Sequence, residues 1–376
     1  MKTKVNNLIP VFLTILICSC TGQKKQGNSA SGGGPCDSLA TAETKALYFN
    51  LKELAKTKVL FGHQDDLAYG VHWWAEPGRS DVKETSGSYP AVYGWEIGNI
   101  EGERNLDSVS FAEMKEWIRE GYERGGVITI SWHEHNPVTG GSAWDTIGRA
   151  VSTIIPGGSN NELWKQKLDM VADFMLSLKG DNGELIPVVF RPYHELTGSW
   201  FWWGKDLCTS EEFIRLWQFT VDYLTSVRNV HNLLYAFSTD VFDSEEYYLD
   251  RYPGDDFVDV LGFDDYRTVS NPESRDQTIN ELHIISELGK KLDKIPAWTE
   301  TGLASIPVPE WWTATILDRI KADSLTCQIA WVLVWRNARL DHHYAPFSGH
   351  PSAADFKKFR DDECILFEDE LPDLYK

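Results

Sequence analysis

Pro187-Val-Val-Phe-Arg-Pro-Tyr-His-Glu195 joins a β-branched and aromatic run to a polar, aromatic tail, which reads as a buried strand that ends in a chemically rich loop. With its flanks the run covers Ile186 to Tyr193, and seven others like it recur along the chain. They are Val59 to His63, Ala91 to Glu96, Val127 to Trp132, Leu233 to Ser238, Phe257 to Phe263, Ile295 to Thr299 and Ile329 to Trp335. Helical stretches separate them. Leu168, Val171, Met175 and Leu178 repeat at helical spacing, as do Phe213, Leu216, Trp217 and Thr220, and Thr209 with Glu212 forms a capping box that opens the second of these helices. Short strands alternating with helices predict parallel strands with crossover connections. Eight such units in roughly 335 residues predict an α/β fold, one (β/α)₈ TIM barrel.

In such a barrel the carboxyl ends of all strands meet on one face, so residues distant in sequence share a site. Period-two alternation along the fourth strand places Arg191 and Glu195 on the same side. The seventh strand, Ile295-Pro-Ala-Trp-Thr-Glu300, also ends in a glutamate. A single glutamate at a strand end is more often a helix cap or a surface ion pair. Two at these strands suit hydrolysis of a glycoside with retention, in which one carboxyl protonates the leaving oxygen and another, about 5 Å away, attacks the anomeric carbon.

Beyond the two glutamates, the chain carries Phe61-Gly-His-Gln64, Gly94-Trp-Glu96, Trp132-His133 with Asn136-Pro137, Arg191-Pro-Tyr-His-Glu-Leu196 with Trp200, Asp259-Val-Leu-Gly-Phe-Asp-Asp-Tyr266, Trp298-Thr-Glu-Thr-Gly302 and Trp335-Arg-Asn337. In these motifs the sequence resembles glycoside hydrolase family 26, with His194 rather than asparagine before the first glutamate. The resemblance implies a β-1,4-mannanase with Glu195 as general acid/base and Glu300 as nucleophile, needing no cofactor and no metal. By the same resemblance Tyr266 hydrogen-bonds the nucleophile, His194 orients the reacting sugar, Trp200 lies beside it, and His133, Trp335 and Arg336 line the pocket. Trp144, on the loop after the third strand, is expected to add a wall, and Arg191 to stabilise ionised Glu300 from within the barrel. Family 26 also contains β-1,3-xylanases and mixed-linkage β-glucanases, so the polymer itself stays open at this point.

Other residues carry competing readings. Asp259 lies inside the sixth strand and reads as a buried structural carboxylate, whereas Glu96, Asp240, Asp264 and Asp265 fall near strand ends as rivals or helpers. Among the 16 tryptophans, Trp73, Trp74, Trp202 and Trp203 are core or sugar platform with equal ease. His63, His133, His135 and His194 could in principle ligate a metal, which would make a metal-dependent hydrolase; the paired histidines, however, follow the third strand rather than the first. A non-catalytic polysaccharide-binding protein would have little reason to keep both glutamates. The long stretches Asp65 to Tyr89 and Arg339 to Pro351 could wall one end of a cleft and favour release of mannobiose, or could be plain surface loops.

The 36 basic and 56 acidic side chains give a formal charge of −20, which argues against nucleic acid as a partner. At the start of the chain Lys2, Lys4 and the apolar run Leu8 to Ile17 read as a secretory signal, and Ile17-Cys-Ser-Cys20 resembles a lipobox. The expected plan is a signal at 1–19, a lipid-anchored linker at 20–40 with lipid on Cys20, and a catalytic domain at 41–376. The protein would then sit in the bacterial cell envelope, facing the periplasm or the outside. Disulfides are permitted there, but spacing does not pair Cys36, Cys208, Cys327 and Cys364.

Overall fold

Eight parallel strands close into a barrel in the computed structural model, which describes Met1 and residues 33–376. They are β1 (Val59–Gln64), β2 (Val92–Glu96), β3 (Val127–Trp132), β4 (Val188–Pro192), β5 (Leu233–Thr239), β6 (Val260–Asp265), β7 (Ile295–Thr301) and β8 (Trp331–Val334). Each pairs with the next, and Leu60 of β1 stands beside Trp331 of β8 to complete the ring. Every position in these strands is buried, on the inner face by the barrel and on the outer face by helices. That double burial is why the sequence shows apolar runs rather than alternation. All eight sequence-predicted strands are present.

Alternation still decides which face a side chain takes. Leu60, Val92, Val189, Leu234, Val260, Ile295 and Leu333 fill the barrel interior. Phe61, Tyr93, Phe190, Phe237, Phe263 and Trp298 point outward into the layer under the helices. Leu168, Val171 and Met175 join that outer layer from the helix Asn161–Ser177, with Leu178 as its C-cap. The capping box forms as expected: Thr209 accepts from the Glu212 amide and Glu212 from the Thr209 amide, which starts the helix Ser210–Asp222. At the amino ends of the strands the helix Ala42–Leu54 inserts Leu47, Tyr48 and Leu51 into the interior cluster and plugs that pole.

Several boundaries move, each for a local reason. β4 stops at Pro192 because Tyr193 takes φ +52°. β6 begins at Val260, since Asp255–Phe257 coil into a 3₁₀ turn. The expected linker to residue 40 is corrected at its far end: the Cys36 amide donates to Asp259 at 2.6 Å, and Asp37 accepts from His231 at 2.7 Å, so this stretch belongs to the folded unit. The Cys36 amide together with the Tyr235 amide at 2.8 Å gives buried Asp259 the structural role expected of it. The signal, Cys20 and most of the linker lie outside the described residues. Among those described, no helix is long and apolar enough to cross a membrane, and Cys36, Cys208, Cys327 and Cys364 are free thiols.

Candidate active site

Arg191 is the last inward-facing residue of β4, two positions beyond Val189. Its guanidinium divides between two carboxylates, donating to Asp264 of β6 at 2.6 Å and to Glu300 of β7. Tyr266, just past β6, donates its hydroxyl to the other oxygen of Glu300 at 2.7 Å. Both oxygens of Glu300 are thus occupied, one by a cation and one by a phenol. Asp264 is itself fixed by Ser238 at 2.9 Å and Thr299 at 2.8 Å. Burial pushes Asp264 up to about 7 against the pull of Arg191, with the charge of Glu300 adding to the rise.

Glu300 faces inward only because β7 is irregular. Trp298 pairs with Phe263 and Glu300 pairs with Asp264, so Thr299 is an extra residue in the ladder. Strict alternation from outward-facing Trp298 would send Glu300 outward too. The bulge turns it into the barrel, a recurrent use of bulges beside active sites.

Glu195 arrives by a different device. The strand has already ended, and Tyr193 and Glu195 both take φ +52°, a left-handed conformation that costs non-glycine residues energy. Surrounding bonds enforce it: Trp203 Nε1 donates to the His194 carbonyl at 2.8 Å, Tyr193 pairs with Thr220 at 2.9 Å, and the Gly198 amide caps the Glu195 carbonyl at 2.9 Å. The expectation that plain alternation carries Glu195 is therefore corrected. Its carboxyl accepts from Trp200 Nε1 at 2.5 Å. Burial raises its pKa well above the usual carboxylate range, and the charges of Glu300, Asp264 and Asp240 raise it further, against the Trp200 hydrogen bond.

A second network borders the pair. His194 and His133 meet through their Nε2 atoms at 3.0 Å, and His133 Nδ1 lies 2.7 Å from Glu96 at the end of β2. Glu96 also accepts the His133 amide at 2.8 Å and Ser131 at 2.6 Å. Burial opposes the charge on His133, but Glu96 outweighs it and raises the His133 pKa. His194 goes the other way, well below its ordinary value, through burial and then the positive Arg191 and His133. His133 is thus poised to donate from Nε2 to a neutral His194. Of the strand-end carboxylates, Glu96 is bonded to His133 and Asp264 to Arg191, whereas Asp240 pairs with Arg267 and Asp265 with Thr268.

Aromatic walls surround these groups. Trp144 stacks on His133 with centroids 5.2 Å apart and is 52% exposed, while Trp335 stands edge-on to His133 at 6.4 Å. Trp200 is 38% exposed, so it can offer a face to a sugar ring. Trp202 and Trp203 are buried with their indole nitrogens on main-chain carbonyls, and Trp73 is buried on Asp81, so these three are core. Trp74 is exposed and stacks on Tyr69 at 4.9 Å.

Arg336, beyond β8, bridges loops: it pairs with Asp107 of the loop after β2 at 2.8 Å and donates to Tyr69 of the loop after β1 at 3.2 Å. Sequence reading missed Asp107. It also missed Phe201, which packs beneath His133, His194 and Trp144 at 5.1, 5.4 and 5.3 Å. His63 is bonded to Asp66 at 2.7 Å, while His135 gathers with Glu101 and Glu134, where Lys167 already bridges the two carboxylates at 2.8 and 3.0 Å.

A (β/α)₈ barrel whose fourth and seventh strands bring two differently treated glutamates to one basin has the architecture of a glycoside hydrolase. The chain belongs to glycosyl hydrolase family 26, whose profile matches residues 36–299. It is 37% identical over 295 residues to a mannan endo-1,4-beta-mannosidase of Bifidobacterium adolescentis, covering 74% of this chain and 29% of that protein. A mannan endo-1,4-beta-mannosidase of Caldalkalibacillus mannanilyticus is 26% identical over 316 residues, covering 80% of this chain and 57% of the relative. The chain therefore spans less than two thirds of these two curated relatives. Among solved structures, a family 26 beta-mannanase from Bacteroides ovatus superposes with a TM-score of 0.86 at 49% identity, covering 89% of this chain and 98% of that one. An endo-beta-1,4-mannanase from Cellulomonas fimi gives 0.85 at 34% identity, covering 91% and 79%.

Proposed function

We propose that the protein hydrolyses the β-1,4-mannosidic bonds of mannan, galactomannan or manno-oligosaccharides with retention, using Glu195 as acid/base and Glu300 as nucleophile. The opposite treatment of the two glutamates carries the reading. Glu300 is paired with a cation and accepts on both oxygens, as an attacking carboxylate requires, whereas Glu195 is driven towards its protonated form, as a proton donor requires. In the first step a Glu300 oxygen bonds to the anomeric carbon, the glycosidic bond breaks, and the Glu195 proton passes to the leaving oxygen. That step neutralises Glu300, so a charge on Glu195 becomes less costly. Glu195 then takes a proton from water as the water oxygen displaces Glu300 from the sugar. In this reading His194 orients the reacting sugar, His133 lines the pocket, and Trp200, Trp335 and Trp144 flank the ring. The names of the relatives support mannan as the polymer.

Incubating purified protein with mannan, β-1,3-xylan and mixed-linkage β-glucan, and counting new reducing ends, tests this directly. Mannan should be the preferred substrate, and NMR of the first product should show the β-anomer. An α-anomer would overturn the roles of both glutamates.

The Ile17-Cys-Ser-Cys20 stretch supports lipid attachment at Cys20 and a place in the bacterial cell envelope. Mass spectrometry of the N-terminal peptide from a bacterial membrane fraction would show a diacylglyceryl cysteine, and Cys20→Ser should remove the protein from that fraction.

A further inference from the structure

At the pole opposite the glutamates, Lys52, Lys56 and Lys290 line a groove of about 430 Å³ at the amino ends of β1, β7 and β8, with buried Lys294 at its floor donating to the Asp255 carbonyl at 2.7 Å. One carboxylate, Asp293, shares it, so the accessible cations of the groove outnumber its carboxylates in a chain of formal charge −20. Lys52 pairs with Asp293 at 2.5 Å and Lys56 with Glu53 at 2.5 Å, exposed pairs of the kind that exchange readily. Lys290 is exposed and has no ion-pair partner among the described residues. The folded unit begins beside this groove: a β-carbon built on Gly33 would stand 3.2 Å from an Asp293 carboxylate oxygen. Thirteen positions separate Gly33 from Cys20, a reach of at most about 45 Å, and Lys24 and Lys25 fall within it.

We infer that the lysine groove docks on the anionic headgroups of the bilayer that holds the lipid anchor, which turns Glu195 and Glu300 away from the membrane towards polymer. The inference rests on Cys20 as the lipidated residue. Charge complementarity selects the bilayer as occupant, since each lysine adds attraction at the surface of an anionic leaflet, and Gly33, where the described chain resumes, lies against the groove. The same pole bears a second groove lined by Glu43, Glu123, Glu184 and Asp373 with Arg124 and Lys376, which anionic lipid would repel. The barrel is therefore seated lysine side down rather than flat on its base.

The test uses the full lipidated chain on vesicles of phosphatidylcholine with or without phosphatidylglycerol. Each lysine is labelled with an amine-reactive reagent and read by peptide mass spectrometry. Labelling of Lys56 and Lys290 should fall roughly threefold or more on the anionic vesicles and recover in high salt, with Lys376 unchanged as the internal reference. Equal labelling of Lys56 and Lys290 on both vesicles, with the protein still floating with the lipid, overturns the docking and leaves the anchor standing. Failure to float with either vesicle removes the anchor and the docking together. Protection of the same lysines by soluble glycerophosphate also overturns it, because the groove would then be a small-anion site. Lys56→Glu with Lys290→Glu should leave hydrolysis of soluble manno-oligosaccharides unchanged and abolish the difference in Lys52 labelling between the two vesicles.

Discussion

Arg191 reaches Glu300 across the barrel interior because Thr299 is an extra residue in β7, without which the carboxylate would face the helices. One guanidinium then serves Asp264 and Glu300 together. A lysine offers a single ammonium and cannot reproduce that fork. Arg191→Lys should therefore keep the fold, shown by unchanged far-ultraviolet dichroism, and lose about 100-fold or more in kcat on mannan. Activity within a few-fold of the parent would mean that the fork does not support the reaction.

The two glutamates should separate when the leaving group is varied. With Glu195 as the proposed proton donor, Glu195→Ala should lower hydrolysis of mannan by about 100-fold to 10,000-fold while an activated aryl mannoside, which leaves without protonation, still forms the glycosyl-enzyme. Glu300→Ala should be nearly inert on both. Equal losses on both substrates in Glu195→Ala would reverse the acid/base assignment.

Trp200 donates a hydrogen bond that favours the ionised form of Glu195, against burial and three nearby negative charges. As the proposed proton donor, Glu195 must be protonated in the free enzyme for polymer hydrolysis, so its raised pKa should set the alkaline limb of kcat/KM. Removing a bond to the charged form raises that pKa further. Trp200→Phe should thus move the alkaline limb to higher pH while lowering kcat/KM through the lost indole, and a limb that stays fixed or moves down would break the argument.

The same carboxyl links stability to pH. Glu195 binds its proton more tightly folded than unfolded, so its contribution is fully present below the unfolded pKa of about 4.3 and is lost as pH rises through the folded value. Glu195→Gln keeps the shape and cannot ionise. Its melting temperature should match the parent near pH 4 and exceed it increasingly as pH rises from the unfolded towards the folded pKa. A constant difference across that range would show that burial of Glu195 costs the fold nothing on ionisation.

The barrel was legible because strands buried on both faces write themselves as apolar runs, and the Thr209–Glu212 box marks a helix start by chemistry alone. The site was legible only in part. Alternation puts Arg191 inside correctly, but it gives the wrong face for Glu300, and Glu195 is delivered by two left-handed residues that no periodicity records. Phe201 and Asp107 went unseen because their neighbours come from other loops. Trp200 and Trp203, three residues apart, differ in role only because one indole meets a buried carbonyl and the other a carboxyl at the cleft. The folding of Cys36 and Asp37 was hidden because polar partners, rather than apolar burial, hold them.

Arg336 joins the loops after β1, β2 and β8, and Asp107, its ion-pair partner, is almost wholly buried with a side-chain exposure of 4%. Removing the guanidinium leaves that carboxylate without its cation, beside an Asp65 that burial and Asp107 already push up to about 8. With the arginine itself partly exposed, the loss should be about 2–3 kcal/mol, below the figure for a fully buried pair. Arg336→Ala should therefore lower the urea midpoint clearly, and Asp107→Asn in the same chain should restore part of it by removing the stranded charge. If the three loops wall one end of the cleft, loosening them should also shift early products from galactomannan towards longer oligosaccharides. A variant with parent-like urea stability and the same product ladder would show that Arg336 neither fastens the loops nor shapes the cleft.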